Sequence, residues 1–220
     1  MDKIILILIS ILMGILINNY ILNLPRGIKE IGKIFKWKFS KATPIIILLN
    51  IALYIGLYII HGVSIELFRY AMLSSLLIAV IFIDSKLYII PNGLNLFGLI
   101  YGVVCILCNL ANYKTMLFGA IFGFVFFFLI IFLSEAILKK QGMGEGDLKL
   151  MTVMGLYLGL AYTVLTTFLS FILGAVISIL LLVFKIKKVD EQIPFGPFIA
   201  IAGIITMFCG NNIIYWYLGF

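Results

Sequence analysis

Apolar residues in this chain come in long blocks rather than in alternation. Eight blocks can be drawn, at roughly 4–24, 44–61, 67–83, 92–111, 115–138, 148–163, 165–184 and 195–217. Blocks of this length with few charges inside them read as membrane-crossing helices. The pattern predicts an all-α, polytopic membrane protein of about eight transmembrane helices, forming a single integral domain over residues 1–220. The boundary inside 148–184 needs an argument. A single helix of that length, at about 1.5 Å per residue, far exceeds a hydrocarbon core about 30 Å thick. Two short helices are therefore expected, turning near Tyr162-Thr163.

Composition agrees with this pattern. Hydrophobic residues make up 64% of the chain and charged residues 11%, more apolar surface than a soluble domain can hide. No stretch rich in Ser, Pro or charge marks a linker. The net charge of +7 raises the question of nucleic acid, but the basic residues are scattered between apolar blocks and orientation explains them better. With eight spans they fall thirteen against three. One side holds Arg26, Lys29, Lys33, Lys36, Lys38, Lys41, Lys86, Lys139, Lys140, Lys149, Lys185, Lys187 and Lys188, and the other holds Lys3, Arg69 and Lys114. The positive-inside rule makes the first side cytoplasmic and puts both termini outside. Merging 148–184 into one span would leave the lysines at 185–188 outside. The first block is followed by Asn18-Asn19-Tyr20 instead of a small-residue cleavage site, so it reads as a retained helix.

Other motifs have plain readings. Cys105 and Cys108 are spaced C-x-x-C but lie in an apolar segment with no second ligand pair, so they read as core residues. Gly98/Gly102, Gly119/Gly123 and Gly155/Gly159 are spaced for close helix approach. The Phe-rich run from 122 to 132 reads as packing or lipid-facing surface.

The acids carry the chemistry. Nine are present. Asp2, Glu66 and Glu135 fall at segment ends, and Glu30, Glu145, Asp190 and Glu191 fall in loops. Only Asp84 and Asp147 abut an apolar block on the cytoplasmic side within motifs that bend the backbone. Asp84 is followed by Ile90-Pro91-Asn92, where proline interrupts helix. Asp147 follows Gly142, Gly144 and Gly146, which admit conformations other residues avoid. Irregular backbone at membrane depth survives only where protein covers it or it lines a wet cavity. Two carboxylates in such a notch cannot both ionise easily and hold a shared proton. That arrangement suits peptide hydrolysis, one carboxylate taking a proton from water while its protonated partner polarises the carbonyl. The single histidine, His61, lies on the opposite side, and no His or Cys set for catalytic zinc is at hand, so no metal and no cofactor are expected. The alternatives are helix capping by Asp147, an ion-coupled carrier using paired intramembrane acids, or a non-catalytic scaffold for pilus or secretion assembly.

Gly144-Glu145-Gly146-Asp147-Leu148-Lys149-Leu150 resembles the Gly-x-Gly-Asp signature of the type IV prepilin peptidases. Asp84 with Ile90-Pro91-Asn92 resembles that family's other catalytic aspartate and the proline motif after it. Pro194-Phe195-Gly196-Pro197-Phe198 resembles its late motif, and Asn18 to Pro25 faintly resembles the end of its first helix. The resemblance implies a membrane aspartic endopeptidase with Asp84 and Asp147 as its catalytic pair. Gly144, Gly146, Lys149, Lys86, Pro91, Asn92, Pro194, Gly196 and Pro197 would shape the site or meet substrate. The implied substrates are prepilins or pseudopilins with a basic leader and a Gly-Phe junction, cut at the cytoplasmic face of the bacterial inner membrane. The partners are then those substrates and the lipid bilayer, with no nucleic acid. Many bacterial members of the family carry an insert with two C-x-x-C zinc pairs and also methylate the new amino terminus. Here the loop from Arg26 to Thr43 is short, basic and free of cysteine, so a peptidase-only form is expected. A further hypothesis is that Lys86 or Lys149 steers an acidic residue of the substrate, since both lie beside the aspartates. Unchanged cleavage of such a substrate by Lys86→Gln and Lys149→Gln would dismiss it.

Overall fold

The structure is a computed structural model that describes residues 2–24, 39–108, 110–139, 142–188 and 191–219. Most of the basic loop expected over 26–43 lies outside the described residues, as do Lys140 and Asp190. Among the described residues seven helices follow one another and no strand occurs: α1 Asp2–Asn23, α2 Thr43–His61, α3 Ile65–Leu87, α4 Asn92–Cys108, α5 Tyr113–Leu138, α6 Glu145–Val183 and α7 Gly196–Leu218. Six of them are long and apolar enough to cross a membrane, and α4 is shorter at 17 residues. The protein is all-α and polytopic in character.

Local chemistry sets the ends. The Ser64 hydroxyl accepts the Leu67 N–H at 3.2 Å and caps the start of α3. Tyr88, in the left-handed region at φ 56°, closes the other end of α3 by donating its N–H to the Asp84 carbonyl at 2.9 Å. Pro44 and Pro197 occupy first-turn positions of α2 and α7, where a missing N–H costs nothing.

α6 corrects the expected turn. One residue inside it, Gly159, leaves helical geometry, at φ 75° and ψ 174°. Its neighbours show that the chain reverses there. Met154 meets Gly203 of α7, while Gly174 lies against Phe198. A straight helix would hold Met154 and Gly174 about 30 Å apart, yet Phe198 and Gly203 span only about 7.5 Å of α7. Between them Thr166 pairs with Thr206 at 3.0 Å, and Tyr162 donates to Asn211 at 2.6 Å. The first arm of α6 thus runs alongside α7 in the same direction and the second arm runs back. Two arms were expected, but the turn is at Gly159 and not at Tyr162-Thr163. Both of those residues are helical, because only the glycine takes positive φ without strain.

α3 is the central helix. Of its most apolar stretch 67% is buried, against 22–44% for the other long helices. Glycines let its neighbours close in. A Cβ at Gly98 of α4 would lie 2.6 Å from Leu76 of α3, and one at Gly119 of α5 would lie 2.7 Å from the Gly155 carbonyl of α6. All three Gly-x-x-x-Gly pairs sit at such crossings, as small residues do where helices pack in lipid. Buried hydrogen bonds tie the front helices together, Ser75 to Asn50 at 2.7 Å, Tyr54 to Ser75 at 3.0 Å and Thr43 to Asn18 at 2.9 Å. The two aspartates lie together at one end of the bundle. The start of α1, beside Tyr58 and Leu67, and the last turns of α7 lie towards the other end.

Candidate active site

Three helix ends build the site. Asp84 is in the last turn of α3, which continues three residues past it to Leu87. Asp147 is the third residue of α6, whose start is set by Gly144 in extended conformation, so Gly144 and not Asp147 occupies the capping position. The Asp147 N–H bonds back to the Gly144 carbonyl at 3.1 Å. The third end is the start of α7, where the Gly196 N–H donates to Asp84 Oδ2 at 3.0 Å. Unpaired N–H groups at a helix start are natural anion holders.

The two carboxyls are 63 residues apart in sequence (147 − 84) but close in space, near enough for the charge of one to act on the other. Both are almost sealed, Asp84 at 5% exposure and Asp147 at 8%. Ile90 is wedged between the first turns of α6 and α7 that carry Gly146 and Gly196. It lies 3.0 Å from where a Cβ of Gly146 would stand and 3.1 Å from where one of Gly196 would stand. A methyl group at either position would crowd Ile90, forcing that side chain to give by a few tenths of an ångström. At Gly196 it would also reach within 2.6 Å of Asp84 Oδ2, and at Gly144 within 3.3 Å of Asp147 Oδ2. The expected wet notch is therefore a closed one in this conformation. Two apolar hollows on the surface lie elsewhere, one between α1 and α2 and one between α1, α2 and the start of α3.

Most of the other residues expected at the site gather around this centre. The Pro91 carbonyl accepts the N–H groups of Leu94 and Asn95 and begins α4. Asn92 Oδ1 accepts from Lys149 Nζ at 3.0 Å, and Glu145 lies 3.7 Å from the same ammonium. Lys149 thus braces the starts of α4 and α6 instead of standing open. Lys86 is exposed in the last turn of α3. Pro197 is in the first turn of α7, and Pro194 lies in the loop leading to it, half-buried. No group of His, Cys, Asp and Glu among the described residues is placed to hold a metal. Cys105 is buried and Cys108 exposed, both as free thiols.

Two residues were missed. Ile90, beside Pro91, carries no role in the sequence pattern, yet it packs against Gly146 and Gly196. Asn95 was passed over altogether. It is 4% exposed, and its amide donates to the Gly146 carbonyl at 3.5 Å next to Asp147. A polar residue three positions after Asn92 inside an apolar block was the available signal, since i and i+3 share a helix face.

The sequence model of the type IV leader peptidase family matches residues 71–179, a segment that contains both aspartates. A protein of Legionella pneumophila named prepilin leader peptidase/N-methyltransferase is 34% identical over 163 residues, 72% of this chain and 56% of that protein. Proteins of the same name from Pseudomonas aeruginosa and Xanthomonas campestris are 34% and 35% identical, over 66% and 68% of this chain and 50% and 52% of their own lengths. The chain thus spans about half the length of the curated relatives it matches. No solved structure matches it.

Proposed function

We propose that this chain, whose residues 71–179 match the sequence model of the type IV leader peptidase family, is a membrane aspartic endopeptidase acting on prepilin-like proteins. Asp84 and Asp147 are its catalytic pair. Two acids drawn from separate helices, sealed together and set against helix starts are the observation that supports this reading. Such a pair shares one proton. The ionised carboxylate removes a proton from water as the water oxygen attacks the scissile carbonyl carbon. The protonated carboxyl hydrogen-bonds the carbonyl oxygen as negative charge develops there. As the tetrahedral carbon collapses, the C–N bond breaks and the leaving nitrogen takes up a proton, returning the pair to its starting state.

Substrate must reach carboxyls that are closed off in this conformation, so binding has to shift the Ile90 wedge or the first turn of α7. The cut site is the Gly-Phe junction behind a basic leader, presented while the substrate's apolar helix stays in the bilayer. The site faces the cytoplasm at the bacterial inner membrane, the eight crossings leave both termini outside, and the lysine-rich ends mark the inner side. Peptidase activity alone is proposed, because the 26–43 loop carries no cysteine for a zinc-bound insert.

Incubating the purified full chain in detergent with a candidate precursor tests this. A shift to the mature length, with a new amino-terminal Phe, is expected from the unaltered protein and not from Asp84→Asn or Asp147→Asn. Equal processing by either variant overturns the aspartyl mechanism.

A further inference from the structure

At the end of α3 away from the aspartates the structure buries an arginine. Arg69 is 7% exposed and lies 15 residues before Asp84 (84 − 69), about 22 Å along the helix. Its guanidinium donates to Tyr70 Oη at 3.2 Å and reaches the Met116 thioether of α5 at 3.7 Å. Its carbon stands 4.8 Å from the centre of the Tyr70 ring. Nε has no partner. No ion pair forms between Arg69 and any carboxylate among the described residues. Glu66, one turn earlier, acts electrostatically on Tyr70 but does not bond the guanidinium.

Beyond Glu66, the contacts around Arg69 supply no acid among the described residues. His61, the last residue of α2, packs edge-on against Tyr70 with ring centres 5.2 Å apart, and its Nε2 is buried without a partner. Cys105 of α4 and Tyr162 of α6 lie within the electrostatic reach of Arg69. Five helices therefore converge on a cation whose best acceptors are a phenol and a sulfur. A buried charge without a counterion is strongly unfavourable, and an ionisable residue inside a membrane protein calls for a named partner.

Guanidinium chemistry indicates which partner. Its N–H groups form a planar fork that matches phosphate oxygens two at a time. Arg69 is four residues into α3, about 6 Å from the helix start, which is headgroup depth for a helix crossing a bilayer. Lys114, in the first turn of α5 two residues before Met116, brings a second cation to that edge. We propose that Arg69, with His61 beside it, is a binding site for the phosphate group of a phospholipid in the leaflet opposite the aspartates. The bound phosphate would supply the missing counterion and tie the starts of α3 and α5 to the end of α2.

The test uses the delipidated full chain in detergent, with the thermal unfolding midpoint as readout. Phosphatidylglycerol is expected to raise the midpoint by several degrees, and inorganic phosphate at the same concentration much less. Arg69→Gln should lose the lipid shift, while Arg69→Lys, which keeps the charge but not the fork, should retain part of it. Glu66→Gln should keep the shift, as should Asp84→Asn, which separates this site from the proposed chemistry. If Arg69→Gln does not fold, native mass spectrometry of the unaltered and Arg69→Lys proteins reads the same difference as retained phospholipid. An equal shift in the unaltered and Arg69→Gln proteins, or none in either, overturns the proposal. A lipid shift that emerges only in Glu66→Gln also overturns it, because Glu66 is then the counterion. Inorganic phosphate matching the lipid overturns the lipid as the occupant.

Discussion

The two ends of α3 hold charge in contrasting ways. At one end two acids of like sign sit against glycines and the starts of α6 and α7, and a backbone N–H from Gly196 grips Asp84. At the other end a single guanidinium is held by a tyrosine and a thioether, with an imidazole packed on that tyrosine's ring and no acid bonded to the guanidinium among the described residues. The difference follows from what a helix bundle has to offer. Helix starts provide spare N–H groups, so the fold itself can solvate an anion. Helix ends offer free carbonyls to cations as well, but Arg69 bonds Tyr70 and Met116 instead, so this cation depends on side chains or on something bound from outside. Geometry at the acidic end is therefore fixed by backbone and tolerates little change, while the basic end should respond to its surroundings.

The sharpest way to break this contrast is to neutralise the acids. Asp84→Asn or Asp147→Asn should lower precursor cleavage by about 10²–10⁴-fold, the usual worth of general acid–base groups, with the helical circular dichroism spectrum unchanged. For the unaltered protein, cleavage against pH should be bell-shaped. It rises as the first carboxyl of the pair ionises and falls as the second loses the shared proton. A flat profile across both limbs would contradict a shared proton.

A smaller effect is expected at Gly196, where Ala would place a methyl group 2.6 Å from Asp84 Oδ2. A displacement of about 1 Å at a reacting group can cost about 10²-fold, so Gly196→Ala should lose turnover more than thermal stability. Gly93→Ala is the control, since its methyl group would meet only the Tyr20 hydroxyl at 3.4 Å. Gly155→Ala should do the reverse of Gly196→Ala. Its Cβ would run into the Gly119–Ala120 backbone, and overpacking of this kind costs about 1–3 kcal/mol, seen as a lower unfolding midpoint. The smallest change is expected from Lys149→Gln, which removes a half-exposed ion pair with Glu145 and the link to Asn92. Exposed pairs are worth about 0–1 kcal/mol, so the midpoint should barely move.

Much of the architecture could be read from apolar blocks, because in lipid a helix of membrane length is the simplest way to satisfy its own backbone. The aspartates stood out because acids are rare in such blocks, and the nearby glycines because they cluster. Gly159 was legible only in part. It packs as its spacing with Gly155 suggests, since a Cβ at Gly119 would lie 2.7 Å from the Gly159 backbone, but its positive φ also turns the chain. Ile90 was not legible as a site residue, since it acquires its role from residues more than fifty positions later, Gly146 and Gly196, while Asn95 carried a signal only in its spacing from Asn92. Lys149 looked like a substrate contact by sequence proximity to Asp147. Only the structure supplies Asn92 as its partner.

The reversal at Gly159 also bears on biogenesis. A hairpin joined by one non-helical residue presents almost no hydrophilic chain on that face of the bundle. Neither arm has a polar tail there to be carried across ahead of the other. Insertion of the two arms as a pair is the expected consequence, and it would bring Asp147, twelve residues before the bend, to its end of the bundle together with the second arm.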